Sequence, residues 1–291
     1  MKYFEQNLYN PKYIKKLLAN HNFFVSKSLG QNFLTNSSVG AKMAKMSGAE
    51  GGFVLEIGPG IGALTKELAK VAEKVCSVEI DSRLIPILNE TLCGIKNVEI
   101  INDDILKTNI KNLISGKSNG LSAIICANLP YYITSPIIIR LLKLGLNVKS
   151  ITVMVQKEAA RRICAEPGSR GCGAISLAVR YYSTPKLLFD LSSGNFFPRP
   201  DVDSSVIQLK INKIPPVEIE NRDGFFKLVR AAFSQRRKML INPVSSRFNI
   251  SKDHIKNILL DLKIPPSARA EQLSLEQFAK ISNSIENFLY G

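Results

Sequence analysis

The chain has 291 residues, 45 % of them apolar and 22 % charged, which suits one large domain and a small one and excludes a low-complexity or fibrous polymer. No apolar run approaches the roughly 18 residues that cross a bilayer, the basic N-terminus lacks the apolar core of a secretory signal, and five scattered cysteines and two histidines make neither a CxxC pair nor a ligand cluster; a membrane span, a disulfide framework and a metal centre are not expected, and the cytoplasm is. Lys and Arg outnumber Asp and Glu 39 to 24, a net charge of +15, which points to a polyanionic partner.

In chain order, residues 1–25 form a basic N-terminal extension without a clear pattern. Phe53–Ile57 is a short apolar run, and Gly58-Pro59-Gly60-Ile61-Gly62 closes it as a glycine loop. Helical spacing follows over Ala63–Val71, a strand over Val75–Ile80, a helix over Arg83–Leu92 and a third strand over Val98–Ile101. Ala123–Ala127 has the unbroken apolarity of a strand buried on both faces. Pro136–Leu144 reads as a helix with proline in its first turn, Ile151–Gln156 as a strand, and Lys157–Cys164 as a helix. Lys186–Leu191 and Val206–Ile211 are the last strands. This alternation predicts a doubly wound, largely parallel sheet over 26–213. Ile214-Pro215-Pro216-Val217 breaks it as a linker. Beyond it, Gly224–Phe233, Lys252–Leu262 and Leu275–Phe288 have helical spacing, so 214–291 is expected to be a small all-helical domain.

The glycine loop between a strand and a helix brings a ligand close to the backbone and to the helix start. Gly58-x-Gly60-x-x-Ala63 also fits the dinucleotide fingerprint of a dehydrogenase, so the loop alone does not choose a ligand. Glu79, at the end of the next strand, is placed to accept from both ribose hydroxyls. Asp104 follows the third strand and can accept from an adenine amino group; Asp103 beside it can exchange roles with it. With Glu56 these acids resemble the donor site of class I methyltransferases, where a cationic sulfonium suits carboxylates better than a pyrophosphate does.

After the fourth strand comes Asn128-Leu129-Pro130-Tyr131, which resembles the Asn/Asp-x-Pro-Tyr/Phe loop of amino methyltransferases that act on nucleobases. The adenine amino nitrogen is a poor nucleophile because its lone pair is delocalised into the ring. The Asn128 side-chain oxygen and the Leu129 carbonyl can accept its two N–H groups and favour a pyramidal nitrogen. Pro130 fixes the turn, and Tyr131 can stack on a base taken out of its helix.

Further segments make the resemblance specific: Ser28-Leu29-Gly30-Gln31-Asn32-Phe33-Leu34, Val78-Glu79-Ile80-Asp81, the run from Phe196 to Ser204 (FFPRPDVDS), Phe233-Ser234-Gln235-Arg236-Arg237-Lys238, and Arg269-Ala270-Glu271-Gln272-Leu273-Ser274. With these the chain resembles the KsgA/RsmA-type ribosomal RNA adenine dimethyltransferases from about residue 26 almost to its end. The resemblance implies an α/β class I methyltransferase with a Rossmann-like doubly wound sheet and a helical C-terminal domain. It implies S-adenosyl-L-methionine held by Asn32, Leu34, Gly58, Glu79, Asp104 and Asn128, and a second aromatic, Phe196, near the target base. It also implies dimethylation of two adjacent adenosines in the 3′-terminal hairpin loop of 16S rRNA, within an assembling small ribosomal subunit, by a monomer. Gly171-Cys172-Gly173-Ala174 departs from the family's usual Tyr-Gly pattern.

Arg230, Arg236, Arg237 and Lys238 are candidates for RNA phosphates. If the helix continues through them, Arg230 and Arg237 share a face. The Erm-type enzymes of large-subunit rRNA share the fold and a similar loop; Gly30, Leu129 and Arg236-Arg237-Lys238 favour the small-subunit family. A non-catalytic RNA-binding assembly factor would not need the intact loop and donor site. A nicotinamide dehydrogenase would leave the charge unexplained.

Overall fold

The computed structural model describes residues 7–26 and 29–290; Ser28 of the segment leading into Asn32 lies outside them, as do residues 1–6 of the N-terminal extension. The chain runs α1 (Pro11–Asn20), β1 (Phe33–Leu34), α2 (Ser37–Ser47), β2 (Phe53–Ile57), α3 (Ala63–Ala69), β3 (Lys74–Glu79), α4 (Ile85–Thr91), β4 (Val98–Asn102) and α5 (Ile110–Lys117). It continues with β5 (Ala123–Asn128), α6 (Thr134–Lys143), β6 (Ser150–Gln156), α7 (Lys157–Cys164), α8 (Ala174–Tyr182), β7 (Ser183–Leu191), β8 (Phe196–Phe197) and β9 (Ser204–Ile211). The last helices are α9 (Arg222–Ser234), α10 (Ile241–Phe248), α11 (Lys252–Asp261) and α12 (Leu275–Tyr290).

Seven strands form one sheet in the order β4-β3-β2-β5-β6-β9-β7. The neighbours from β4 through β6 are parallel, and β9 returns antiparallel to β6. From β2 the chain builds outward through β3 and β4, then returns to lay β5 on the other side of β2. The order therefore reverses between β2 and β5, and ligands of open α/β sheets bind beyond the carboxyl ends of the strands at such a point. Every residue of β2 is buried, as are the first five of β5, which is why both read as apolar runs rather than as alternation.

The expected doubly wound sheet is present. Helices α1, α2, α5, α8 and α10 and the short antiparallel pair β1–β8 are not among the elements expected from the sequence. Helix α2 is weakly apolar (SSVGAKMAKMS) and is set by its caps, Asn36 accepting from Ser38 N and Gly48 in the left-handed region. Helix α1 shows how the N-terminal region is used. Asn10 caps it and Pro11 opens it, and its buried Ile14, Leu17 and Leu18 join Leu8, Phe23, Phe33, Ile61, Leu84, Ile87 and Leu88 in one apolar cluster.

The chain divides into two compact units, residues 1–160 with 186–211, and 161–185 with 212–291. The second is helical and contains α8 as well as the C-terminal helices. Its interior holds an aromatic group in which Tyr182 stacks on Phe226 and Tyr181 meets Phe225 and Phe226. Among the described residues no strand follows β9, and no helix is long and apolar enough to cross a membrane.

Candidate functional site: an acid-lined cavity at the strand ends

A cavity of about 1090 Å³, counted out to its open mouth, lies at the carboxyl ends of β2, β3, β4 and β5. Its wall includes Asn32, Leu34, Gly58, Glu79, Asp103, Asp104 and the whole of Asn128-Leu129-Pro130-Tyr131. All six expected donor-site residues are thus brought together from separate stretches of chain.

Gly58 has φ +68°, and a Cβ there would meet no protein atom within 4 Å. The left-handed backbone favours glycine, and the space above it is open to a ligand. Glu79 is buried; its Oε2 accepts from Gly60 N at 3.2 Å and its Oε1 from Asp81 N at 2.9 Å. Burial pushes its carboxyl above the usual range, while those two N–H donors pull it back. Asp81 is itself clamped by the Arg83 guanidinium, with Nη2 at 2.6 Å, and that pairing holds its carboxyl below the usual range. Gln31 Nε2 donates to Asp81 Oδ2 at 2.8 Å and Gln31 Oε1 accepts from Ser26 N, so the segment entering the site is tied to the end of β3.

The two neighbouring aspartates differ. Asp103 spends both oxygens on internal donors, Thr108 Oγ1 at 2.7 Å and Asp104 N at 2.8 Å. Asp104 Oδ1 accepts from Leu106 N at 2.9 Å, but among the described residues its Oδ2 has only Lys107 Nζ at 3.9 Å. Asp104 therefore retains an oxygen for a ligand.

Asn128 Nδ2 donates to the Asn32 carbonyl at 3.1 Å. This fixes the amide and leaves Oδ1 as its acceptor end. The Pro130 carbonyl accepts from Ile133 N and Thr134 Oγ1, which locks the loop onto the start of α6. The Tyr131 hydroxyl lies 2.7 Å from Ser204 Oγ, and burial raises its pKa. Gly30, at φ +59°, packs against the same loop; a Cβ there would meet Pro130 Cβ at 3.3 Å and the Tyr132 ring at 3.4 Å.

Two expected members stand elsewhere. Glu56 does not line the cavity; it is buried behind the glycine loop, where Oε2 accepts from Thr65 Oγ1 and Ser77 Oγ, both at 2.7 Å. Burial raises its pKa to about 7. Phe196 is buried at 4 % exposure in the core beside Leu34, its partner across β1–β8, and is not part of the wall. Gln31, Asp81 and Ser204 are visible in the sequence only as members of matched segments. Their positioning roles depend on partners 50 to 73 residues apart, which spacing does not reveal.

In the helical unit, the expectation that Arg230 and Arg237 share a helix face does not hold. Helix α9 ends at Ser234, and 235–237 form a turn. Arg236 Nη2 donates to the carbonyls of Arg170 and Cys172, at 3.0 and 2.9 Å, and pairs with Glu271. It grips the Gly171-Cys172-Gly173 segment. Arg230, Arg237 and Lys238 are exposed.

The charged residues described in the cavity wall are all acids, Glu79, Asp103 and Asp104. Such a wall fits a sulfonium cation and an adenosine better than a pyrophosphate. Fold and cavity together define a class I methyltransferase that uses S-adenosylmethionine. The model of the family described as "Ribosomal RNA adenine dimethylase" matches residues 22–287. The chain belongs to that family, and is therefore an S-adenosylmethionine-dependent enzyme of the rRNA adenine dimethyltransferase class. It is 45 % identical over 274 residues to the "Ribosomal RNA small subunit methyltransferase A" of Clostridioides difficile, covering 93 % of this chain and 94 % of that one. It is 42 % identical over 278 residues to the protein of the same name from Alkaliphilus oremlandii, covering 95 % and 97 %. Among solved structures, a dimethyladenosine transferase from Plasmodium falciparum superposes with a TM-score of 0.69 at 26 % identity, over 85 % of this chain and 95 % of that one. The 23S rRNA methyltransferase ErmE superposes with a TM-score of 0.67 at 24 % identity, over 88 % of this chain and all of that one.

Proposed function

We propose that this chain transfers methyl groups from S-adenosylmethionine to N6 of two adjacent adenosines in the 3′-terminal hairpin loop of 16S rRNA, dimethylating each, on an assembling small subunit in the cytoplasm. The observation that carries this reading is the placement of Asn128-Leu129-Pro130-Tyr131 against the acid-lined cavity, with the Asn128 amide pinned so that Oδ1 is left to accept. The small-subunit target is supported by relatives of that printed name, at 45 % and 42 % identity over nearly the whole chain. Fold likeness alone does not choose it, since ErmE superposes about as well.

In this reading Glu79 accepts from the donor ribose, Asp104 from its adenine, and Gly58, Asn32 and Leu34 shape the remaining wall. The bound donor supplies an electrophilic methyl group. Asn128 Oδ1 and the Leu129 carbonyl accept the two N–H groups of the target amine, which turns its lone pair toward that methyl. Tyr131, tethered to Ser204 at its hydroxyl, stacks on the flipped base with its ring. The methylated nitrogen is strongly acidic, so its proton leaves to water and neither a histidine base nor a metal is required. Phe196 supports Leu34 from the core. The protein acts as a monomer, and the helical domain over 214–291 adds phosphate contacts through Arg230, Arg237 and Lys238.

The test is methyl transfer from labelled donor to separated, unmethylated small and large subunits. The reading expects label in small-subunit rRNA. Label confined to large-subunit rRNA would replace it with the Erm-type activity, and donor binding without transfer to either would leave a non-catalytic assembly factor.

A further inference from the structure

Helix α1 presents two faces with different uses. One face is spent: Ile14, Leu17 and Leu18 are buried with Leu8 and Phe23 against Phe33, Ile61, Ala63 and Leu84, and these last four are part of the cavity wall. The Tyr9 hydroxyl, just before the helix, adds a bond to the Ala63 carbonyl at 2.8 Å and lies 3.1 Å from Glu67 Oε1. The helix is therefore fastened to the back of the donor site through side chains that themselves form it.

The other face carries Lys12, Lys15 and Lys16, all exposed. Their spacing, i, i+3 and i+4, places them together on one side of the helix. The helix PKYIKKLLAN contains no acid, and among the described residues no carboxylate pairs with any of the three lysines. Lys15 Nζ lies 5.4 Å from the centroid of the Phe197 ring, and Phe197 pairs with Phe33 of the cavity wall across β1–β8. The stripe is thereby held next to the strand pair that borders the site.

We propose that Lys12, Lys15 and Lys16 form a phosphate-binding surface for the rRNA substrate, distinct from Arg230, Arg237 and Lys238, that sets the RNA backbone in register with the cavity. Three cations without carboxylate partners among the described residues, on one helix face, match the closely spaced phosphates of RNA. A lipid surface is a poorer match, because a helix that lies in a membrane needs its apolar face free, and here that face is buried in the core. The inference rests on the small-subunit rRNA reading for the identity of the RNA, not for the surface itself.

The experiment compares the parent with Lys12→Gln/Lys15→Gln/Lys16→Gln. Glutamine keeps helix propensity close to that of lysine and removes the charge. Donor affinity by calorimetry and the melting temperature should match the parent. Affinity for unmethylated small subunits should fall roughly tenfold near 0.1 M salt, and the slope of log affinity against log salt should become shallower by about 2, at about 0.7–0.9 for each phosphate that is no longer neutralised. Lys12→Arg/Lys15→Arg/Lys16→Arg should restore both. Should the triple glutamine variant lose its fold, Lys12→Gln and Lys16→Gln singly carry the same test, each flattening the slope by about 0.7–0.9. Parental affinity and salt slope in the glutamine variants would overturn the proposal and leave the stripe a solvated face. Whether the parent methylates small subunits is read separately. If it methylates only large subunits, the substrate reading falls, and the lysine comparison is decided on that RNA instead.

Discussion

At the scale of single residues, the site depends on which oxygen atoms are already spent. Asn128 Nδ2 donates to the Asn32 carbonyl and leaves Oδ1 as the acceptor end; on the proposed reading that oxygen meets the target amine, whereas several other residues hold the donor. Asn128→Ala is therefore expected to lower single-turnover methylation by roughly 10²–10³-fold, the usual cost of removing one preorganised polar group from a transition state. Donor affinity should fall by no more than about tenfold, the net worth of one hydrogen bond. Calorimetry beside single-turnover rates separates the two effects, and near-parental turnover would remove Asn128 from the chemistry. Glu56 behaves differently. Its Oε1 is buried without a hydrogen-bond partner among the described residues, and its pKa is raised to about 7 from about 4.3 in an unfolded chain. Between those values the folded state binds more protons than the unfolded state, so this group makes stability fall as pH rises from about 4.5 to about 7 and leaves the full penalty above that. Glu56→Gln should gain stability over the parent as pH rises from 5 to 8, by at most about 3 kcal/mol. Denaturant midpoints at both pH values check this; a constant difference would mean that Glu56 does not titrate in that range.

The same scale shows what the sequence could carry about the site. That Gly58, Glu79 and Asn128 line one cavity was legible because each stands at or just past the end of a strand, and strand ends converge at the point where the sheet order reverses. The difference between Asp103 and Asp104 was not legible, since it lies in Asp104 N and Thr108 Oγ1 bonding both Asp103 oxygens while Leu106 N bonds one of Asp104's. Phe196 and Glu56 were expected at the site because they belong to characteristic segments. Side-chain direction decided otherwise, Phe196 packing under Leu34 and Glu56 facing Thr65 and Ser77.

At the scale of elements, strands were easier to read than helices. The central strands β2 and β5 are short, mostly apolar runs, interrupted in β2 only by Glu56, and are buried on both faces. Helix α2 is held by its caps and tertiary packing rather than by a strong apolar stripe, and α1 sits in a stretch whose lysines mask its apolar spacing. The end of α9 is hidden in the sequence because Phe233-Ser234-Gln235-Arg236 has no proline or glycine to stop a helix. The carbonyls of 170 and 172, gripped by Arg236, belong to residues far away in sequence. On the proposed reading this divides the basic run, Arg236 being structural and the exposed Arg237 and Lys238 left for RNA. Arg236→Ala should destabilise the helical unit by about 1–2 kcal/mol, because it releases two carbonyls and Glu271. Arg237→Ala/Lys238→Ala should leave the melting temperature unchanged, weaken subunit binding and flatten its salt dependence by about 1.5. Thermal melting and salt titration of both variants distinguish the roles; a destabilised double variant with parental subunit affinity would make the whole turn structural.

At the scale of the molecule, the charge of +15 coexists with a cavity whose described charged residues are acids. The two facts describe two ligands: a cationic donor held inside and a polyanion held outside. The helical unit also takes in 161–185, a grouping that a boundary drawn at the Ile214-Pro215-Pro216 linker does not anticipate, because α8 joins the C-terminal helices through an aromatic cluster rather than through chain continuity. The central claim is that this cavity dimethylates small-subunit rRNA at adjacent adenosines. The most direct measurement is mass-spectrometric mapping of the modified nucleosides after unmethylated small subunits react with the pure protein and S-adenosylmethionine. The account predicts N6,N6-dimethyladenosine at two neighbouring positions in the 3′-terminal hairpin loop and at no other adenosine. Methylation that stops at the monomethyl stage, or falls elsewhere in the rRNA, would contradict it.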